Sequence, residues 1–307
     1  MQNMKPRQIL KIAPESPKGH PAIQTISGKI RNYTAFGVYT VSGVILKITY
    51  GVNVCMKLAQ IIFSPTGGTK KVAEAITGTW KPEVDTVDLT DAFFSSAAFQ
   101  EEDLVLIAVP SYGGRVPALA VQRLERVQGG SAQCVIVCVY GNRAYEDTLV
   151  ELKDCAENCG FRVLAAVAAV AEHSILHQYA AGRPDPKDTE MLQEFSRRIL
   201  EKYRKSEENL PISLPGNRPY KKAGGAGLVP KATKDCTACG LCAEQCPAQA
   251  ISRETIRKAD SKKCVSCMRC VVRCPHKARK VNAAMVSAAA LALKKVCSVR
   301  KECELFI

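Results

Sequence analysis

The sequence predicts two units in one chain: an α/β unit whose parallel sheet is covered by helices on both faces and, after it, a small α+β unit organised around cysteines. Three observations predict this. Five apolar runs alternate with stretches of helical periodicity between residues 56 and 205. Eight of the fifteen cysteines repeat one spacing between residues 236 and 274. A stretch dense in proline and glycine, residues 206–230, separates the two and reads as a linker. A chain of 307 residues has room for an ordinary domain upstream of the cysteines.

In order along the chain, the runs rich in Val, Ile and Leu fall at 59–64, 84–89, 104–110, 134–140 and 162–170. Near-continuous apolar strands of this kind belong to parallel sheets buried on both faces. Helical periodicity lies between them at 69–77, 117–127 and 145–159. A last helix at about 188–205 carries Leu192, Phe195, Ile199, Leu200 and Tyr203 on one stripe, which should pack on the sheet. The first strand ends in Ser64-Pro65-Thr66-Gly67-Gly68-Thr69 and runs straight into a helix. Glycines 67 and 68 let backbone approach an anion, the hydroxyls of Ser64, Thr66 and Thr69 can donate to it, and the helix N-terminus favours negative charge. The loop lacks the Gly-Lys-Ser/Thr ending of a nucleoside triphosphatase loop, which disfavours ATP and GTP.

The cysteines of the second unit read Cys236-x2-Cys239-x2-Cys242-x3-Cys246-Pro247 and Cys264-x2-Cys267-x2-Cys270-x3-Cys274-Pro275. Three cysteines two residues apart let one tight loop wrap three corners of an iron–sulfur cubane, and the fourth ligand must come from elsewhere. Zinc also takes four thiolates tetrahedrally and is the main competitor, although structural zinc sites pair two knuckles. Disulfides fit poorly with an odd thiol count and no secretory signal, which place the chain in a reducing compartment. Of the other seven cysteines, Cys134 and Cys138 sit in an apolar run and read as small buried hydrophobes. Cys155 and Cys159 read as structural thiols on a helix, and Cys55, Cys297 and Cys303 carry no signal.

Ser-x-Thr-Gly-x-Thr after the first strand resembles the FMN-phosphate loop of flavodoxins, and the cysteine cadence is similar to that of bacterial two-cluster ferredoxins. With the terminal segment 300–307, the arrangement resembles the flavodoxin–ferredoxin fusions called ferrodoxins, over about residues 56–307. The resemblance implies a flavodoxin-like doubly wound sheet of five strands in the order 2-1-3-4-5 at 56–205, a linker at 206–230, a 2[4Fe-4S] ferredoxin-like unit at 231–282 and a C-terminal helix and tail at 283–307. It implies two interlocked clusters, one on Cys236, Cys239, Cys242 and Cys274, the other on Cys264, Cys267, Cys270 and Cys246. It also implies FMN-ring contacts from Pro110, Ser111, Tyr112, Gly113 and Gly114 after strand three and from Tyr140, Gly141, Asn142 and Tyr145 after strand four, where ligands bind open α/β sheets. Glu172-His173-Ser174 stands where family members carry the same stretch, and Cys303 where many carry Asn.

Charge is unevenly spread. Residues 1–55 hold 7 Lys+Arg against 1 Glu, residues 56–220 hold 18 against 22 acidic groups, and residues 221–307 hold 18 against 6. Two oxidised cubanes with their thiolates would return about four negative charges, so the C-terminal end stays basic. Without a nucleic-acid fold or an aromatic stacking platform, this favours docking to an acidic redox partner protein over nucleic acid. Residues 1–55 fit no part of the architecture and are expected to be an extension, disordered or arising from a misassigned start, since Met56 begins the first strand as a translation start would. Polar residues and glycines interrupt residues 32–56, and the Ala-rich segment 281–293 is too short to span a bilayer, so a membrane span is not expected. That Ala-rich segment should be a helix packed across the two units or against a partner.

The expectation is a cytoplasmic electron carrier relaying electrons between FMN and two 4Fe-4S clusters, to or from redox partners, with no catalytic residue assigned. Two other readings stand beside it. One is an FMN-dependent oxidoreductase reducing a small-molecule acceptor; the other is a ferredoxin whose first unit has lost FMN and serves docking.

Overall fold

The computed structural model describes residues 30–41, 44–80, 83–205, 211–224 and 227–307. Residues 1–29 of the extension and parts of the linker lie outside the described residues. Strands β1 (Ile30–Val41) and β2 (Val44–Cys55), both in the extension, pair antiparallel with Ile30 opposite Cys55.

The central sheet grows from the apolar runs. Its members are β3 (Leu58–Ile62), β4 (Asp85–Asp88), β6 (Leu104–Pro110), β8 (Gln133–Tyr140) and β9 (Arg162–Val170), and a short β5 (Ala97–Ala98) pairs outside the sheet with β7 (Val127–Gln128). All five sheet members are parallel, with β3 between β4 and β6, the order 2-1-3-4-5 expected of a flavodoxin-like fold. Helices α1 (Gly68–Thr77) and α4 (Pro186–Lys205) cover one face through Val72, Ile76, Leu192 and Ile199. Helices α2 (Ala118–Leu124) and α3 (Thr148–Asn158) cover the other through Ala120, Leu124, Leu149 and Leu152. Cys134 and Cys138 are buried in the sheet, and burial pushes both thiols far above the ordinary range, as inert core groups.

The second unit is an internal repeat of 28 residues. Strands β10 (Lys231–Ala232) and β11 (Arg279–Lys280) pair antiparallel, and helices α5 (Leu241–Glu244) and α6 (Arg269–Val272) follow equivalent cysteine loops. Left-handed residues recur at matching places: Ala238 and Ser266, Gly240 and Met268, Gln249 and Lys277. The amide of Ala250 donates to Cys246 Sγ and that of Ala278 to Cys274 Sγ, both at 3.3 Å.

Helix α7 (Ala283–Cys297) crosses from the second unit onto the first, where Val286, Ala289, Ala290 and Leu293 pack on Leu176 and Tyr179. The chain then returns to the sheet. Strand β12 (Glu304–Phe306) pairs antiparallel with β9, so the sheet has six strands where five were expected, and Cys303 is buried in its core. Arg300 and Lys187 hold this tail through Asp185, Asp188 and Glu302.

The linker is strapped along the first unit. Buried Asp147 accepts from the Asn217 amide and side chain at 2.9 and 3.1 Å and from the Lys221 amide at 2.7 Å. Arg218 and Tyr220 bind Asp154, while Arg115, paired with both oxygens of Glu151, also binds the Lys221 carbonyl. The Lys221 amide, with those from Asn217, holds the Asp147 carboxyl below the usual carboxylate range. Because the folded value lies below the unfolded one, the clamp's contribution is full above about pH 4 and is lost as pH falls further. Replacing Asp147 with Ala is expected to free residues 217–221 and raise the rate of tryptic cleavage after Lys221 or Lys222 by about tenfold or more, a local opening read by limited proteolysis.

Candidate functional site

At the carboxyl ends of β3, β6 and β8, the loops of the first unit enclose a cavity of about 530 Å³. The residues that reach it from the expected set are Thr66, Gly68, Thr69, Pro110, Ser111, Tyr112, Gly113, Tyr140 and Gly141. Gly67 caps α1 at φ +97°, a left-handed conformation that glycine adopts without strain. Ser64 stands behind the loop, its Oγ accepting from the Lys70 amide at 2.9 Å. Among the described residues, the amide N–H groups of Thr66, Gly67, Gly68 and Thr69 find no acceptor in the protein. Four free donors at the start of a ten-residue helix suit a phosphate.

Five expected contacts resolve differently, among them Gly67, which caps α1 and does not line the cavity. Asn142 is buried but turns away from the cavity: its Nδ2 donates to the carbonyls of Cys297 and Val299, both at 2.8 Å, and its Oδ1 accepts from the Lys301 amide. It ties the end of α7 to the first unit because those carbonyls have no helical partner. Tyr145 packs edge-on against Tyr140 at 5.2 Å and donates to Glu304 at 2.8 Å, so it supports the cavity-lining Tyr140 and the tail. Gly114 sits against Glu146, where a Cβ would collide with the carboxylate, and neither it nor Ser64 lines the cavity.

Several lining residues were not expected as site residues. Arg143 and Lys221 both lie at the rim and share Glu146 as partner. His173 packs against Gly141, and its Nδ1 accepts from the Ile175 and Leu176 amides at 3.2 Å. Those bonds leave the proton on Nε2, and burial, with His177 nearby, keeps the ring's pKa below its ordinary value. Gly224 of the linker, Leu293 of α7, and Val265 and Ser266 of the second unit complete the wall. No local pattern marks these last four; they arrive from distant sequence.

The eight repeat cysteines divide into two hollows. Cys246, Cys264, Cys267 and Cys270 line one, with apolar Ala250, Ile251 and Met268; Cys236, Cys239, Cys242 and Cys274 line the other. Each set of four takes three thiols from one copy and one from the other. Left-handed residues stand between the cysteines at Ala238, Gly240, Ser266 and Met268, a backbone conformation found in anion-binding nests. The thiols surround a space and do not meet at a point: among the described residues, no three His, Cys, Asp or Glu are placed to hold one metal ion. Four thiols lining one hollow are the donor set a cubane takes.

Residues 235–279 match the family model of the 4Fe-4S dicluster domain. The dicluster segment is fastened to the flavodoxin-like unit by two arginines: buried Arg123 donates to the carbonyls of Leu89 and Pro247 at 2.6 Å, and Arg269 reaches that of Pro65 in the loop before α1 at 3.3 Å. Tyr112 lies where the units meet; burial, and then the neighbouring Cys267, push its hydroxyl well above the ordinary range. Among solved structures the chain is similar to a flavodoxin of Streptococcus pneumonia TIGR4, with 21% identity over 47% of this chain and 99% of that one and a TM-score of 0.34. It is also similar to oxidised Flavodoxin 2 from Bacillus cereus, with 14% identity, 48% and 99% coverage and a TM-score of 0.33. No curated protein matches. Among the described residues no helix is long and apolar enough to cross a membrane. A dicluster domain joined to a flavodoxin-like sheet is suited to electron transfer.

Proposed function

We propose that this chain is an electron carrier holding FMN in the cavity at the sheet's carboxyl end and a 4Fe-4S cluster in each cysteine-lined hollow. The carrying observation is Val265, which lines both the FMN cavity and the hollow of Cys246, Cys264, Cys267 and Cys270. One side chain thus forms the wall between two redox sites. A flavin holds one or two electrons and a cubane one, so the three groups together couple two-electron to one-electron partners.

The residues sort by task. The amides of residues 66–69 with the hydroxyls of Thr66 and Thr69 hold the phosphate, and Tyr112, Gly113, Tyr140 and Gly141 receive the ring. The strapped linker and α7 fix the distance between units. Cys239 is exposed whereas Cys246 and Cys267 are buried, which makes the hollow of Cys236, Cys239, Cys242 and Cys274 the outward terminus. Exposed Lys234, Arg257 and Lys277 beside it give an acidic redox protein its docking charges.

The test is acid-extracted FMN and iron per chain on protein purified anaerobically, followed by electron delivery to an acidic acceptor protein. About one FMN and about eight irons are expected, with delivery that slows as salt rises. Flavin near zero would leave a dicluster protein with a docking unit. Steady reduction of a small acceptor without any partner protein would instead mark an enzyme.

A further inference from the structure

Among the places where the two copies of the repeat differ along the hollows, one exchanges an aliphatic side chain for a buried cation. Four residues after each Cys-Pro, the first copy has Ile251 and the second has Arg279. Ile251 lines the hollow of Cys246, Cys264, Cys267 and Cys270, and Arg279 lines that of Cys236, Cys239, Cys242 and Cys274. Arg279 is only 2% exposed, the largest fully buried side chain of the described residues. Its partners there are two main-chain carbonyls, Pro230 at 3.2 Å and Ile256. Its Nε is buried with no partner among the described residues.

A buried guanidinium without a carboxylate is costly, and an orphaned N–H adds the desolvation of a charged donor. Something negative is required on the side where Nε lies. An oxidised cubane with four thiolates carries about two negative charges, and accepting one electron adds a third. A cation beside it therefore favours the reduced form and raises its potential. The other hollow has an apolar methyl group at the matching position.

We infer that Arg279 donates its Nε–H to the cluster in the hollow of Cys236, Cys239, Cys242 and Cys274 and makes that outward cluster the electron sink of the pair. This rests on the proposed relay and gives it a direction: electrons run from the cluster beside the FMN cavity to the exposed one and out to the partner.

The experiment is an EPR-monitored redox titration of the full chain, wild type against Arg279→Gln and Arg279→Lys, each with iron counted. Wild type should show two midpoints. Gln, which removes the charge, should shift the reduction equilibrium of the higher-potential cluster by tenfold or more, about 59 mV downward for a one-electron couple. Lys should shift it far less. A gap unchanged in Gln, or equal shifts in Gln and Lys, overturns the inference. If the variants assemble poorly, the wild type decides: poised between its midpoints, only the cluster reduced first is paramagnetic. Protein made with 15N-arginine must then show a nitrogen coupling at that cluster, and its absence overturns the assignment. Failure of the underlying relay reads differently, as wild-type iron far below eight or absent flavin.

Discussion

Replacing Cys246 with Ala is expected to take the chain from about eight irons to about four and to leave the remaining cluster on Cys236, Cys239, Cys242 and Cys274. Cys246 belongs by sequence to the first copy of the repeat, but it lines the hollow of the second. The structure therefore predicts that losing it damages the cluster next to the FMN cavity and spares the outward one. The decisive comparison is Cys246→Ala combined with Cys239→Ala. Crosswise ligation predicts that the pair of changes removes both clusters and nearly all the iron. Ligation within each copy would place both cysteines on one cluster, and about four irons would survive. Iron analysis and EPR on anaerobic protein distinguish the two. Crosswise ligation has a second expected effect: the surviving cluster is the one farther from Val265, so electron exchange with the bound flavin should slow sharply in Cys246→Ala.

Replacing Thr66 with Asp should abolish flavin retention while leaving iron untouched. Thr66 lines the cavity, is partly exposed, and lies in the run of free amides at the start of α1. A carboxylate there sits where the phosphate's charge would be. Two like charges about 4 Å apart repel by about 4 kcal/mol at the effective dielectric of a protein surface, before salt screening. FMN affinity should therefore drop by about 100-fold or more, read by fluorescence titration of the flavin-free protein. Thermal stability should change little, because no hydrogen bond within the described protein depends on the Thr66 hydroxyl. Unchanged flavin affinity in Thr66→Asp would remove the phosphate-loop assignment.

The parallel strands were legible because each is buried on both faces and so spells an unbroken apolar run, as in Leu104 to Pro110 or Arg162 to Val170. The turn at Gly67 into α1 was legible for the same local reason. The sixth strand was not legible. Glu304, Leu305 and Phe306 form too short a run to announce themselves, and their partner is an edge that exists only once β9 is folded. Asn142 misled because its place after a strand is one where ligands bind. The carbonyls that capture it belong to residues more than 150 positions away. The ring-side wall from Val265, Ser266 and Leu293 was invisible for that reason too. The cysteine cadence marked the second unit, but the wall that its hollow shares with the cavity of the first comes from docking. Arg279 stood in plain view, and aligning the two copies of the repeat against each other would have exposed it.

The return of the tail to the first sheet bears on how the chain is made. Residues 304–306 leave the ribosome after the dicluster segment, yet they complete the edge of a sheet whose other strands were synthesised before it. Until then β9 presents an open row of backbone donors and acceptors, the kind of edge that recruits other chains. The first unit thus finishes folding only when the iron-binding segment has already been delivered. Cutting the gene at the linker would not yield two finished modules; it would yield a sheet with an exposed flank, prone to self-association, and a short cysteine-rich remnant without its anchor.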